Sequence, residues 1–486
     1  MTRLSRRDDI ADDIAVPAYD RDAHGVGIVH LGLGAFHKAH QAVYTDDALA
    51  AEGGDWRIAA VSLRSARAVE ELRAQNGLFT VISSGVSGST ARVVGSVARA
   101  LAHAHGDAEA VRAALTEPAT RIVTITVTEK GYGIDRATGG ADLSHPAIAH
   151  DLAYPDAPTG LAGLLVRALA RRRDAGVEPF TVLSCDNLPG NGALTRGLIL
   201  DFAGRRDARL RDWIAGTVAF PSSMVDRITP APGDDLPVRV RRMLGCDDHA
   251  AVEAETFSQW VIEDRFPAGR PAWEAGGALF VEDVAPYERM KLRMLNGTHS
   301  MLAYGGFLTG KTHVRDVMRD PALSAMVRRH LDAAARTLDP LDGIDFHEYA
   351  QELARRFENP NLAHETYQIA MDGTEKLPQR ILAPAMDGLR TGGDPRPFAH
   401  ATALWMRYCL GRHDDGARYA LRDPRESEIA RKLEGLGDAD AIAGALFDLP
   451  ALFPKGLRQS APYRHEVRKT LSEMMAQSVA GWLAHQ

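Results

Sequence analysis

Near residue 285 the chain changes texture, and that change limits its possible folds more than any single motif. Before it, short β-branched and apolar runs alternate with helical stretches. After Tyr287, strand patterns vanish and helical periods follow one another over 287–305, 312–320, 322–337, 344–356, 361–368, 399–410, 425–435, 437–447 and 463–483. Alternating strands and helices build a sheet covered by helices, whereas consecutive helices pack on themselves, so one core does not serve both. At 486 residues the chain also exceeds one simple core. The expectation is an α/β domain over 1–285 followed by a mostly α-helical domain over 286–486.

The first domain begins with GIVHLGLG at 27–34, an apolar strand running into Gly32-Leu33-Gly34, and Ala35-Phe36 then open a helix expected to reach residue 49. Glycines after a strand let the backbone turn sharply and approach a pyrophosphate, whose charge is favoured at a helix N-terminus. The fingerprint is partial, because His37 stands at its third glycine. The next strand, 56–63, ends in Arg64-Ser65, where a ribose-binding carboxylate is expected. Arg64 is therefore either an adenine- or phosphate-side contact or a solvent arginine, and NADP stays open beside NAD. Residues 78–82 and 91–97 predict a hairpin or edge ribbon. Strand 121–127 ends at Thr128-Glu129-Lys130, and strand 180–184 at Cys185-Asp186-Asn187. In an open α/β sheet, ligands lie beyond the carboxyl ends of strands, which makes Glu129 and Asn187 candidates. The stretch 220–230 is dense in turn residues, with Asp226 and Arg227 either a structural pair or a substrate-side one. Residues 255–263 predict one strand.

Composition excludes several classes. The net charge of −7 argues against a general nucleic-acid binder. Three separated cysteines form neither a disulfide framework nor a metal spacing, which fits a reducing cytoplasm. The N-terminus has no apolar run behind its arginines, and no stretch reaches the roughly 18 apolar residues of a membrane span.

The first run of the second domain, ERMKLRMLNGTHS at 288–300, concentrates chemistry: Glu288 and Lys291 are three apart, as are Asn296 and His299. On an α-helix, Lys291, Asn296 and His299 project within about 140° of one another beside an apolar seam. A lysine, an amide and an imidazole are costly to bury without purpose, and small-molecule sites favour domain junctions. A helix edge with a capping Asn and a core His is the plainer alternative. Further on, Lys376 and Arg380 flank Pro378 in an expected loop, presenting cations to an anionic or polyhydroxylated ligand or forming a solvated turn. His313, His347, His364 and His400 show no mutual ligand spacing.

Taken together, HLGLGAFHKAHQAVYTDDAL (30–49), TVTEKGYG (126–133), SCDNLPGNG (184–192), FPSSMVDRITP (220–230), QWVIED (259–264) and KLRMLNGTHS (291–300) resemble the polyol-specific long-chain dehydrogenase/reductase family, also called the mannitol dehydrogenase family. The resemblance runs from about residue 27 to the end. AFHKAH, VTEKGYG and AMDGTEKLPQR (370–380) resemble most its fructuronate reductase (D-mannonate oxidoreductase) branch, with mannitol 2-dehydrogenases as near neighbours. The resemblance implies a Rossmann-type NAD-binding domain, and metal-independent hydride transfer between NAD(H) and a secondary alcohol or ketone. It implies a small sugar-acid or polyol substrate and a monomeric protein. Gly32, Leu33, Gly34, Ala35, Phe36, Arg64, Glu129 and Asp226 then fall on the cofactor side. Lys291 resembles the family's catalytic lysine, Asn187 and Asn296 the amides that bind the reacting oxygen, and His299 the substrate-orienting histidine. Glu288 resembles the carboxylate that relays the lysine's proton, and Lys376 and Arg380 fall in its substrate-binding loop. The main expectation is interconversion of D-fructuronate and D-mannonate, with D-mannitol and D-fructose as the alternative pair.

Overall fold

The computed structural model describes residues 3–5, 10–11, 14–86, 88–341, 343–360 and 364–486. The chain divides into two compact units, residues 1–285 and 286–486, with the division falling in the first turn of the helix Ala285–Met290.

The first unit is built on five parallel strands: β1 (Val26–Leu31), β2 (Arg57–Ser62), β5 (Val97–Ala102), β6 (Ile122–Ile125) and β7 (Thr181–Ser184), in the order β5-β2-β1-β6-β7. All six residues of β2 are buried, as expected of a parallel strand covered on both faces. Alternation divides β1 between two cores. Val29 and Leu31 join the core formed with helices Leu161–Asp174 and Asn191–Gly204, while Ile28 joins the one containing Ala42, Leu49, Val69 and Leu72. The strand order reverses between β1 and β6, which is where this architecture opens a crevice for ligands.

Two small sheets complete the unit. β3 (Phe79–Gly85) and β4 (Gly88–Val94) form the expected hairpin, with β9 (Val252–Glu255) parallel to β3. β10 (Gln259–Glu263) pairs with β8 (Ser223–Asp226) and β11 (Leu279–Val281). The single strand expected over 255–263 is thus two strands in different sheets, divided by Thr256-Phe257-Ser258. Two strands were missed. β5 continues so closely from β4 that its pattern merges with the ribbon, and β8 hides among prolines and serines.

The second unit is mostly helical, with isolated bridges and no longer strand among its described residues. Its centre is the helix Thr298–Leu308, buried along almost its whole length, and packed by Pro321–Ala335, Arg396–Tyr408 and Thr366–Ala370. A Cβ on Gly306 would lie 2.4 Å from a Val317 methyl, so the glycine sets how closely the neighbouring helix approaches. The helix expected over 361–368 lies partly outside the described residues, and the described part turns helical only at Thr366. The loop expected around Lys376 is instead helical over Gly373–Leu377 and continues through Pro378 as a wider π turn, Pro378–Leu382, into Ala383–Arg390. Proline lacks the N–H that a regular turn needs, and the change of helical register occurs at that residue. Among the described residues no helix is long and apolar enough to cross a membrane.

Candidate active site

In the first unit a candidate cofactor cradle begins where β1 ends. Gly32 has φ +116°, and a Cβ there would lie 1.9 Å from the Thr126 carbonyl oxygen just beyond β6. Only glycine permits this approach. Thr126 Oγ1 also donates to the Gly32 carbonyl at 2.9 Å, and the Gly32 and Leu33 N–H groups both donate to Val61 O at the end of β2. A Cβ on Gly34 would meet nothing nearer than 3.7 Å, so space for a ligand lies here, at the start of helix Ala35–Ala39, which carries no side-chain cap. A cavity of about 540 Å³ opens beside Gly34, Ala35 and Lys38, with Arg67, Glu71 and Asp248 on its walls. Burial lowers the Lys38 amine to about 8, and its Nζ donates to Ala250 O at 2.6 Å.

His37, at the place of the third glycine, explains a departure from expectation. Its ring stacks on His30 with centroids 3.5 Å apart, and His30 is held by Thr124 and Thr126 hydroxyls at 2.8 and 2.9 Å. A ring between helix and strand takes the room that a third glycine leaves empty. The helix accordingly stops at Ala39, breaks at His40, and restarts as Gln41–Glu52. Phe36 stacks on His40.

The other first-unit candidates are distributed differently. Arg64 is exposed after β2. Glu129 opens a short helix, Glu129–Tyr132, and forms an exposed ion pair with Arg136. Asp226 is buried at the end of β8. Arg227 is structural: it donates to the Ala39 and Glu255 carbonyls and to Ser83 Oγ, tying helix Ala35–Ala39 to β3 and β9. Asn187 is exposed in the segment beyond β7. Asp186 fixes that segment: its Oδ2 accepts from Tyr132 OH at 2.6 Å and from Val127 N–H at 3.0 Å, while its carbonyl accepts from Asn191 Nδ2. Burial raises the Asp186 carboxyl to about 6.

In the second unit, the run from Lys291 departs from the regular helix expected of it. Ala285–Met290 is α-helical, Lys291–Gly297 is a π turn, and Thr298–Leu308 is α-helical again. A π turn brings residues five apart into register, so Lys291 and Asn296 lie closer to one line than α geometry allows. Lys291, Asn296 and His299 are all buried, and Glu288 is half-buried one turn before the lysine. Asn296 Nδ2 and His299 Nε2 have no hydrogen-bond partner among the described residues. Unpaired buried polar atoms are costly, and their usual explanation is a ligand or a water.

Gly297 explains how the second helical run joins this turn. A Cβ there would lie 2.5 Å from the Arg380 carbonyl oxygen, so glycine lets Pro378–Leu382 lie against Lys291–Gly297. Arg380 Nη1 then donates to Ser300 Oγ at 3.1 Å and to Asn296 O at 3.4 Å. Lys376 Nζ donates to the Met371 and Ile369 carbonyls at 2.6 and 3.2 Å. His299 stacks on Phe357 and meets His364 edge-on, with centroids 5.3 and 4.6 Å away. Burial first, and then His364, Arg380, Arg356 and Lys376, hold His299 well below the ordinary imidazole range. His364 was missed because spacing cannot show that a residue 65 positions downstream meets His299.

A parallel sheet with a glycine cradle at its switch point, followed by a helical unit carrying a buried lysine, amide and imidazole, defines a dinucleotide-dependent oxidoreductase. The mannitol dehydrogenase Rossmann domain matches residues 26–275, and the mannitol dehydrogenase C-terminal domain matches 283–475. The chain belongs to the mannitol dehydrogenase family and is an NAD-dependent dehydrogenase acting on a hydroxyl group. It is 42% identical to the D-mannonate oxidoreductase of Escherichia coli K12 over 93% of both chains. It is also 42% identical to the mannitol 2-dehydrogenase of Cereibacter sphaeroides, over 84% of this chain and 86% of that one. The ternary complex of Pseudomonas fluorescens mannitol 2-dehydrogenase with NAD and D-mannitol has a similar structure, with 37% identity, a TM-score of 0.84 and coverage of 100% and 99%.

Proposed function

We propose that the chain interconverts a hexitol and its 2-ketose, with D-mannitol and D-fructose as the representative pair. The observation that carries this reading is the π turn, which sets a buried lysine, an unpaired amide and, shortly beyond, an unpaired imidazole in one short segment. The matched Pseudomonas structure, whose ligand is D-mannitol, supports the neutral substrate. So do the cations, since Lys376 is occupied by two backbone carbonyls and Arg380 by Ser300 and Asn296.

NAD, held along Gly32–Phe36, supplies the hydride acceptor for oxidation and, reduced, the donor for the reverse reaction. In oxidation, neutral Lys291 takes the hydroxyl proton as the carbonyl forms; in reduction, its ammonium returns that proton to the oxygen. Asn296 and Asn187 donate to the oxygen as negative charge develops on it, each worth about 3 kcal/mol by analogy with a single oxyanion donor. His299 Nε2 orients a substrate hydroxyl, and Glu288 relays the lysine's proton to solvent. Arg64, Glu129 and Asp226 are assigned to the cofactor side.

A second reading, D-mannonate and D-fructuronate, is favoured by the positive surroundings of His299, where Arg380, Arg356 and Lys376 all act on the ring. Rates on mannitol, fructose, mannonate and fructuronate, each with NAD(H) and NADP(H), separate the two. Faster reduction of fructose than of fructuronate is expected. The reverse order would replace the hexitol assignment with the sugar acid and leave the class of enzyme standing.

A further inference from the structure

His364 has no part in the mechanism above, yet it is fixed against a residue that does. Its ring lies edge-on to His299 at 4.6 Å and 75°. Its backbone is held on both sides: the His364 carbonyl accepts from Val314 N–H at 3.0 Å, and Glu365 bridges to His313. Its Nδ1 is buried without a hydrogen-bond partner among the described residues, as are His299 Nε2 and Asn296 Nδ2 in the same unit. Three unpaired polar atoms lie together around one short segment, and a ligand rich in hydroxyls is what would pair them. A side chain serving only to pack against His299 needs no nitrogen, and a phenyl ring would serve.

We propose that His364 is a second substrate-binding imidazole, which with His299 receives hydroxyl groups of the polyol chain. The chemistry of the pair suits hydroxyls. Burial, followed by the Lys376 charge, holds His364 below the ordinary imidazole range, and His299 lies lower still. At neutral pH each ring therefore offers one donor and one acceptor, the same complement as a hydroxyl, whereas an imidazolium offers donors only. The inference rests on the hexitol reading and deepens it by naming a residue that selects a polyhydroxylated chain.

The test compares wild type with His364→Phe, His364→Ala and His364→Gln, measuring kcat and KM for D-mannitol and D-fructose with NAD(H), and melting temperature. His364→Phe keeps an aromatic edge against His299 but has no nitrogen. The expected result is a rise in KM of about tenfold or more in both Phe and Ala variants, a smaller change in kcat, and partial recovery in His364→Gln. A Phe variant with wild-type KM would overturn the inference, because packing alone would then explain the residue. Should the Phe variant melt well below wild type, the Gln and Ala pair decides, and equal KM values in those two would overturn it as well. Wild type inactive on both hexitol and ketose would instead end the hexitol reading, and this inference with it.

Discussion

In the proposed mechanism, Lys291 is the residue on which the chemistry turns. It sits buried at the first position of a π turn, where its side chain is held by the shape of the helix and not by a flexible loop. Lys291→Ala should lower turnover by orders of magnitude while dinucleotide affinity, measured by NADH fluorescence titration, stays within about twofold. Near-normal turnover would remove Lys291 from the mechanism. Asn296→Ala should behave differently: the lysine remains, but one donor to the reacting oxygen is lost, so kcat should fall about 100- to 1,000-fold with little change in KM. A variant that loses KM and keeps kcat would move Asn296 from the reacting oxygen to ground-state binding.

At the scale of elements, one close approach shapes the candidate residues of each unit, and each depends on one missing side chain. At Gly32 the end of β1 lies against Thr126, and Gly32→Ala combines a backbone clash with a left-handed φ. It should cost at least about 3 kcal/mol in denaturant unfolding and abolish NADH binding. A variant that binds NADH normally would show that the cradle is elsewhere. The strand–glycine–helix order was legible in the sequence because glycine and apolar runs are local signals. The break at His40 was not, since it follows from a ring stacked between helix and strand, a contact visible only in three dimensions. The same division holds in the second unit. The spacing of Lys291, Asn296 and His299 marked a candidate cluster, and all three are buried, but it did not show the π turn that carries them, because the i→i+5 register leaves no compositional trace. Nor did spacing show that Gly297 admits the backbone at Arg380, or that Pro378 sits inside a helical run. The separation of 255–263 into two strands was likewise invisible, because which sheet a short strand joins is decided by partners distant in sequence.

At the scale of the whole molecule, buried histidines set the response to acid, and their effect can be worked out by sign. His30 in the first unit and His330 in the second are completely buried, and burial lowers each to about 3 from an unfolded value near 6.5. Each therefore binds a proton more readily when unfolded. Their stabilising effect is complete above pH 6.5 and is lost as pH falls from there toward 3. Between pH 6.5 and 5 the loss is about 2 kcal/mol for each, by the linkage of pKa to stability. Asp186 acts in the opposite sense. Its carboxyl is raised to about 6 from 3.8, so the folded state holds its proton more readily, and stability is gained as pH falls from 6 toward 4. That gain belongs to the first unit alone, where it offsets part of the loss from His30. His37 and His103 in the first unit shift the same way as His30, and the buried Asp46 carboxyl is raised there as Asp186 is; in the helical unit His299, His364 and His400 shift the same way as His330. With the raised Asp46 and Asp186 carboxyls opposing the histidines of the first unit, acid should loosen the helical unit first. Hydrogen exchange at pH 7.5 and pH 5 should show protection falling more steeply over 298–334 than over β1 and β6. His330→Leu paired with Thr298→Val, which removes the 2.9 Å hydrogen bond from both sides, should reduce that fall by about 2 kcal/mol. An equal fall in variant and wild type would mean that His330 is not the group that titrates.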